Sequence, residues 1–138
     1  MIITLKEEQK LLQDPKVVWE ICKSLLASED LIDREKEHMW VFHLDTRNKI
    51  KLLELVSLGI LNASLAHPRE IFRRAVGEGV ASIILAHNHP SNDATPSQED
   101  IQTTKRMQKA GEILGIELVD HVVITESTFT SLREKNII

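Results

Sequence analysis

His87, His89 and Asp100 are the residues of this chain whose types and spacing could do chemistry. The run Val80-Ala81-Ser82-Ile83-Ile84-Leu85-Ala86 is apolar and rich in β-branched residues, the pattern of a buried strand, so both histidines stand where that strand ends. Positions i and i+2 of an extended chain point to the same side, which lets the two imidazoles share one target. A polar loop broken by Pro90 and Pro96 follows, and a helix start then places Asp100 in its first turn. Two imidazoles and a carboxylate, with water in the fourth position, make an open tetrahedral site of the kind catalytic zinc uses. A bare His-x-His pair more often marks half-buried, hydrogen-bonded histidines, so the wider pattern has to decide.

The remaining chain supplies the elements that hold these residues. After an irregular start, Asp14-Pro15 has the form of an N-cap followed by proline at the first helical position. Val18, Ile21, Cys22, Leu25 and Leu26 recur at helical spacing to about Ala27, which makes Cys22 a buried structural thiol and Trp19 packing. The charged run 33–37 reads as a solvated linker into a strand, His38–Asp45. A turn, Thr46–Lys49, and a return strand, Ile50–Ser57, complete a hairpin. His38 and His43 differ in parity and are expected on a solvent face or a packed edge.

Leu58–Ser64 is an irregular connection, and His67-Pro68 starts a second helix. In it Ile71, Phe72, Ala75 and Val76 face the core, and Gly77 or Gly79 ends it. His67 reads as a cap or loop contact, with an extra ligand or substrate contact as the sharper alternative. In the motif loop Ser91 shapes the turn beside Pro90. Thr95-Pro96-Ser97-Gln98 has the form of a capping box that would fix Asp100. That helix runs through Ile101, Thr104, Met107, Gln108 and Ile113 to a break near Gly115. Ile116–Thr125 and Thr128–Leu132 read as strands around a turn at Glu126-Ser127. Asp120-His121, inside the former, is either a hydrogen-bonded structural pair or support for the metal ligands from behind. The expected fold class is α/β (α+β): a mixed, largely antiparallel sheet flanked by helices, one domain over 1–138, with a helical lead-in over about 1–32.

Composition narrows the function. An apolar fraction of 42% and a charged fraction of 28% over 138 residues suit one ordinary globular domain. The formal net charge of −4 gives no electrostatic footprint for DNA, and Arg69, Arg73 and Arg74 read as a solvated helix face. The single Cys22 excludes an intrachain disulfide and a multi-cysteine zinc site. An N-terminus that turns charged at once gives no sign of a signal peptide, and no apolar run approaches the ~20 residues of a bilayer span. The expected compartment is the cytoplasm. There is no His-Glu-x-x-His helix, no His-x-Glu with Pro-Cys-x-x-Cys and no Gly-x-Ser-x-Gly, which sets aside zincins, nucleobase deaminases and serine-elbow hydrolases.

The full pattern is His-x-His, ten residues, then Asp, with Ser97 three residues before the Asp. It resembles the JAMM motif of the JAB/MPN metalloprotease-like superfamily. His-Asn-His-Pro-Ser followed by Pro-Ser-x-x-Asp is similar in particular to its RadC family. Leu61-Asn62-Ala63-Ser64, His67-Pro68-Arg69-Glu70 and Asp120-His121 resemble RadC landmarks in the same order, from about Glu37 to Leu132. Asn92-Asp93 replaces a Gly-containing dipeptide of that pattern, a difference of loop shape. The residues alone do not choose among Glu35, Glu37, Glu54 and Glu70 as a base. The resemblance selects Glu37, the glutamate seven residues before Leu44 of the Leu44-Asp45 pair.

The resemblance implies a curved sheet between helices and one Zn²⁺ per chain held by His87, His89 and Asp100. Bound water would be acidified from ~15.7 towards ~7. Glu37 would move its proton, and Ser97 would donate to the oxyanion, giving hydrolysis of a peptide or isopeptide bond without a covalent intermediate. The partner is then a peptide or protein substrate, and exposed sheet edges would suit a homodimer. The alternative is a non-catalytic module tied to DNA repair or recombination, an association of the RadC family, with a structural or vestigial metal site. Longer RadC-like proteins carry a helix-hairpin-helix region suited to DNA. Here one helix is expected ahead of the motif domain, and the acidic balance disfavours direct nucleic-acid binding.

Overall fold

The computed structural model describes residues 1–3, 14–58 and 66–138. Its strands are β1 (Ile2–Ile3), β2 (His38–Leu44), β3 (Ile50–Leu58), β4 (Ser82–Asn88), β5 (Glu117–Ile124) and β6 (Phe129–Ser131). They form one sheet in the order β1-β3-β2-β4-β5-β6, antiparallel except for the parallel pair β4–β5. The helices are α1 (Pro15–Ala27), α2 (Leu31–Arg34), α3 (Pro68–Gly77) and α4 (Gln98–Leu114). The parallel β4–β5 pair needs a long crossover, and α4 supplies it.

Strand parity divides the core in two. Trp40, Phe42, Leu44, Ile84, Ala86, Val122 and Ile124 pack with Val18 and Cys22 on the α1 face. Met39, Val41, Ile83 and Leu85 pack with Ile71, Phe72, Ala75 and Met107 on the face covered by α3 and α4. A sheet covered on both faces has buried central strands, and every residue of β2 and of β4 is buried. α1 begins as its sequence predicts, with the Asp14 carboxylate accepting from the Lys16 amide and Pro15 at the first helical position. Cys22 is fully buried. Trp19 donates its indole N–H to the Thr125 carbonyl at 2.8 Å and packs on Phe129, tying α1 across the ends of β5 and β6.

Several expectations are corrected. His38 and His43 lie on neither a solvent face nor an edge. β2 is paired on both sides, and both rings are buried, His38 on Glu29 at 2.6 Å and His43 on Glu54 at 3.1 Å. The lead-in is not helical throughout, because Ile2 and Ile3 join the sheet opposite Glu54 and Leu53. Within 33–37, residues 33 and 34 belong to α2, capped by Asp30. Val76 is 56% exposed rather than core-facing, since the buried stripe of α3 is Ile71, Phe72 and Ala75. The connection 59–65, with Leu61-Asn62-Ala63-Ser64, lies outside the described residues. No described helix is long and apolar enough to cross a membrane.

Candidate metal centre

β4 delivers His87 from within the strand, and its parity with Ile83 and Leu85 sends the ring to the α4 face. His89 follows one residue past the strand end, its amide bonded to the Ile124 carbonyl at 2.9 Å. α4 delivers Asp100 from its third position. The helix start lies two residues later than the Thr95 reading. Ser97 is the N-cap: its hydroxyl accepts from the Asp100 amide at 3.0 Å, while the Ser97 amide donates to Asp100 Oδ2 at 2.8 Å. That reciprocal box is formed by Ser97 and Asp100 themselves, and it fixes the carboxylate more directly than a Thr95 cap would. The loop between turns on Asn92, whose φ of 66° is the left-handed conformation natural to Gly and tolerated by Asn. Its Oδ1 accepts from the Ser127 hydroxyl at 3.0 Å.

The three side chains converge. His87 Nε2 lies 2.9 Å from His89 Nε2 and 3.3 Å from Asp100 Oδ1, and His89 Nε2 lies 3.2 Å from Asp100 Oδ2. A tetrahedral ion with bonds of ~2.0 Å separates its ligand atoms by about 3.3 Å, and these spacings are of that size, with the carboxylate turning Oδ1 to His87 and Oδ2 to His89. Among the described residues these three form the one group of His, Cys, Asp or Glu that could hold a metal ion.

The hydrogen bonds behind the rings fix which nitrogens carry protons. Thr104 gives its single hydroxyl proton to the Asp100 carbonyl at 2.7 Å, so its oxygen accepts from His121 Nδ1–H at 2.6 Å. His121 Nε2 is then an acceptor, and it takes the proton of His87 Nδ1 at 2.7 Å. Burial lowers the pKa of both rings and keeps them neutral, which leaves His87 Nε2 a bare lone pair facing the site. His89 Nδ1 faces the Asp93 carbonyl at 2.8 Å, an acceptor only, so it donates and its Nε2 also faces inward. Two bare nitrogens 2.9 Å apart repel unless a cation lies between them. A proton on His89, whose pKa is raised by the Asp100 hydrogen bond, supplies one; a divalent ion suits the donor set better. Burial pushes the Asp100 carboxyl up, but the facing His87 and His89 rings and the Ser97 amide outweigh it and hold the group well below the usual carboxylate range. In the absence of an ion Asp100 favours a proton on His89; a bound metal would take the place of that proton and hold both imidazoles neutral against the carboxylate.

Glu37 lies just before β2 and shares the parity of Met39, which pairs with His87. Its carboxyl feels the charges of both His89 and Asp100, and burial raises its pKa. Glu35 lines a cleft of about 830 Å³ that reaches His89 from the side of α1 and α2. Glu54 is taken by His43, and Glu70 lies exposed in the first turn of α3. His67 is a cap, with Nδ1 accepting from the Arg69 amide at 3.1 Å, so its bland reading stands. Asp120 and His121 are hydrogen-bonded, Asp120 Oδ1 accepting from the His121 amide at 2.7 Å, but their side chains point to opposite faces of the strand. Asp120 binds Ser131 and the Arg133 amide on the α1 side, while His121 backs His87. Sequence reasoning missed the task of Thr104, read only as part of a helical stripe; the signal was a hydroxyl among core positions one turn after Asp100. It gave no reading of Asn88.

The model of a RadC-like JAB domain matches residues 12–137. The chain belongs to the RadC family of JAB-domain proteins. It is 50% identical over 113 residues to a UPF0758 protein of Desulforamulus reducens, which covers 82% of this chain and 50% of the relative. A UPF0758 protein of Moorella thermoacetica is 51% identical over 104 residues, 75% of this chain and 45% of the relative. One from Syntrophomonas wolfei is 42% identical over 130 residues, 94% and 55% of the two chains. The chain thus spans about half the length of the curated relatives it matches.

Proposed function

We propose that this chain is a zinc-dependent hydrolase of peptide or isopeptide bonds, with His87, His89 and Asp100 holding the ion. The observation that carries the reading is the convergence of His87 Nε2, His89 Nε2 and the Asp100 carboxylate at 2.9–3.3 Å, with Glu37 near enough to feel the charges of His89 and Asp100. Bound zinc would supply a water that is nucleophilic near neutral pH and an electrophile for the scissile carbonyl. Glu37, with its pKa raised by burial, takes a proton in the attack and returns it to the leaving amine. The Ser97 hydroxyl accepts from the Asp100 amide and still has its own proton to donate to an oxyanion. The cleft that reaches His89, lined also by Lys23, Leu31 and Glu126, offers room for a chain segment of a protein substrate.

The test is cleavage of a diverse library of linear and lysine-branched peptides by zinc-loaded protein in ¹⁸O-water, read by mass spectrometry. Direct attack by water places ¹⁸O in the new carboxylate, and Glu37→Gln is expected to keep the metal while losing roughly 100- to 10,000-fold in rate. A Glu37→Gln protein as active as the wild type removes Glu37 from the role. Zinc-loaded protein that cleaves nothing in the library contradicts the hydrolase reading.

A further inference from the structure

We infer that Asn88, the residue between the two candidate ligand histidines, is a positioning residue that sets Glu37 relative to the metal centre. This rests on the reading of His87 and His89 as ligands and of Glu37 as the base. Strand parity sends His87 to the α4 face and Asn88 to the opposite, α1 face, where Asn88 is 3% exposed. β2 has the same alternation: Glu37 shares the parity of Met39 on the metal side, and His38 stacks on Trp40 behind it.

The Asn88 amide spans the two peptide groups that flank Glu37. Its Oδ1 accepts from the His38 amide N–H at 2.5 Å, and its Nδ2 donates to the Lys36 carbonyl at 3.1 Å. Neither contact survives a flip of the amide, because a backbone N–H only donates and a carbonyl only accepts. The Lys36 carbonyl also accepts from His38 Nδ1 at 2.7 Å, and His38 Nε2 meets Glu29 at 2.6 Å. Glu37 is therefore held at both of its peptide bonds, from the side of the sheet away from the reacting atoms. The last β2–β4 pair is Met39 with His87, so the side chain of Asn88 continues the ladder where the backbone pairing stops. One tripeptide, His87-Asn88-His89, thus presents two ligands on one face and the clamp of the base on the other.

The experiment loads the intact chain with Co²⁺ and measures paramagnetic broadening of the Glu37 side-chain carboxyl by ¹³C NMR, with the His121 ring as the internal reference. Asn88→Ala removes both bonds, and the near-isosteric Asn88→Asp keeps only the acceptor for His38. Both are expected to take up cobalt as the wild type does and to leave His121 broadened. The Glu37 signal is expected to lose most of its broadening in Asn88→Ala and part of it in Asn88→Asp. A Glu37 carboxyl equally broadened in all three proteins overturns this proposal while the metal centre stands. Wild-type protein that binds no cobalt overturns the metal reading, and the task assigned to Asn88 with it.

Discussion

At the scale of single residues, the site depends on proton bookkeeping behind the ligands. Thr104, His121 and His87 form a chain in which each group has one donor direction open to it, ending in a bare nitrogen on His87. Thr104→Val keeps the shape and removes the acceptor for His121 Nδ1–H. That leaves a buried donor unpaired, a cost of about 1–3 kcal/mol, or frees His121 to take the other tautomer and set N–H against N–H at His87. Zinc affinity, measured by competition with a chromophoric chelator, is expected to fall ~10–100-fold, the usual loss when a ligand's supporting partner is removed. An unchanged affinity would mean that His87 needs no such support. His121 was legible in the sequence only as one of two readings. Adjacent Asp and His look like a pair on paper, and only strand parity separates them onto two faces.

At the scale of elements, the motif works because a strand end, a loop and a helix start are each fixed by local chemistry. Asn92 takes the left-handed turn, and the box formed by Ser97 and Asp100 sets the helix. At its other end α4 must turn sharply into β5, and Gly111 permits this. A Cβ there would overlap the carbonyl oxygen of Ile116, while reaching Phe72 of α3 only at ordinary contact distance. Gly111→Ala, favourable for an isolated helix, is therefore expected to destabilise the protein by roughly 1–3 kcal/mol, read as a lower urea midpoint. A midpoint at or above that of the wild type would show that the α4–β5 corner yields freely.

The elements themselves were largely legible. The stripe of α1, the β2–β3 hairpin and the Gly115 stop of α4 follow from periodicity, Pro and Gly. What was not legible depends on pairing at a distance. The burial of His38 and His43 required knowing that β2 is central, and a two-residue strand such as β1 has no periodicity to read. The three ligands were legible because an i, i+2 pair and a capped aspartate are local patterns. Thr104, which backs His87 through His121, and Asn88, which brackets Glu37, act across 17 and 50–52 residues of sequence.

At the scale of the molecule, the centre sits where β4, α4 and β5 meet, with β2 bringing Glu37 from the other side of β4. A bound ion would cross-link the strand and the helix that flank the parallel step of the sheet. It should therefore raise stability by mass action, by ~2.7 kcal/mol when free metal is at a hundred times the dissociation constant. The match covers only about half of each curated relative, so any partner or substrate contact made by the rest of those proteins lies beyond the site described.

If His87, His89 and Asp100 form a metal centre, the protein binds metal through all three. Elemental analysis of protein supplied with zinc and then desalted would be run on wild type, His89→Ala and Asp100→Ala. The expected result is about one zinc per chain in the wild type and none in either variant, with all three folded by circular dichroism. Wild-type protein that stays empty, or variants that bind as much zinc as wild type, would contradict it.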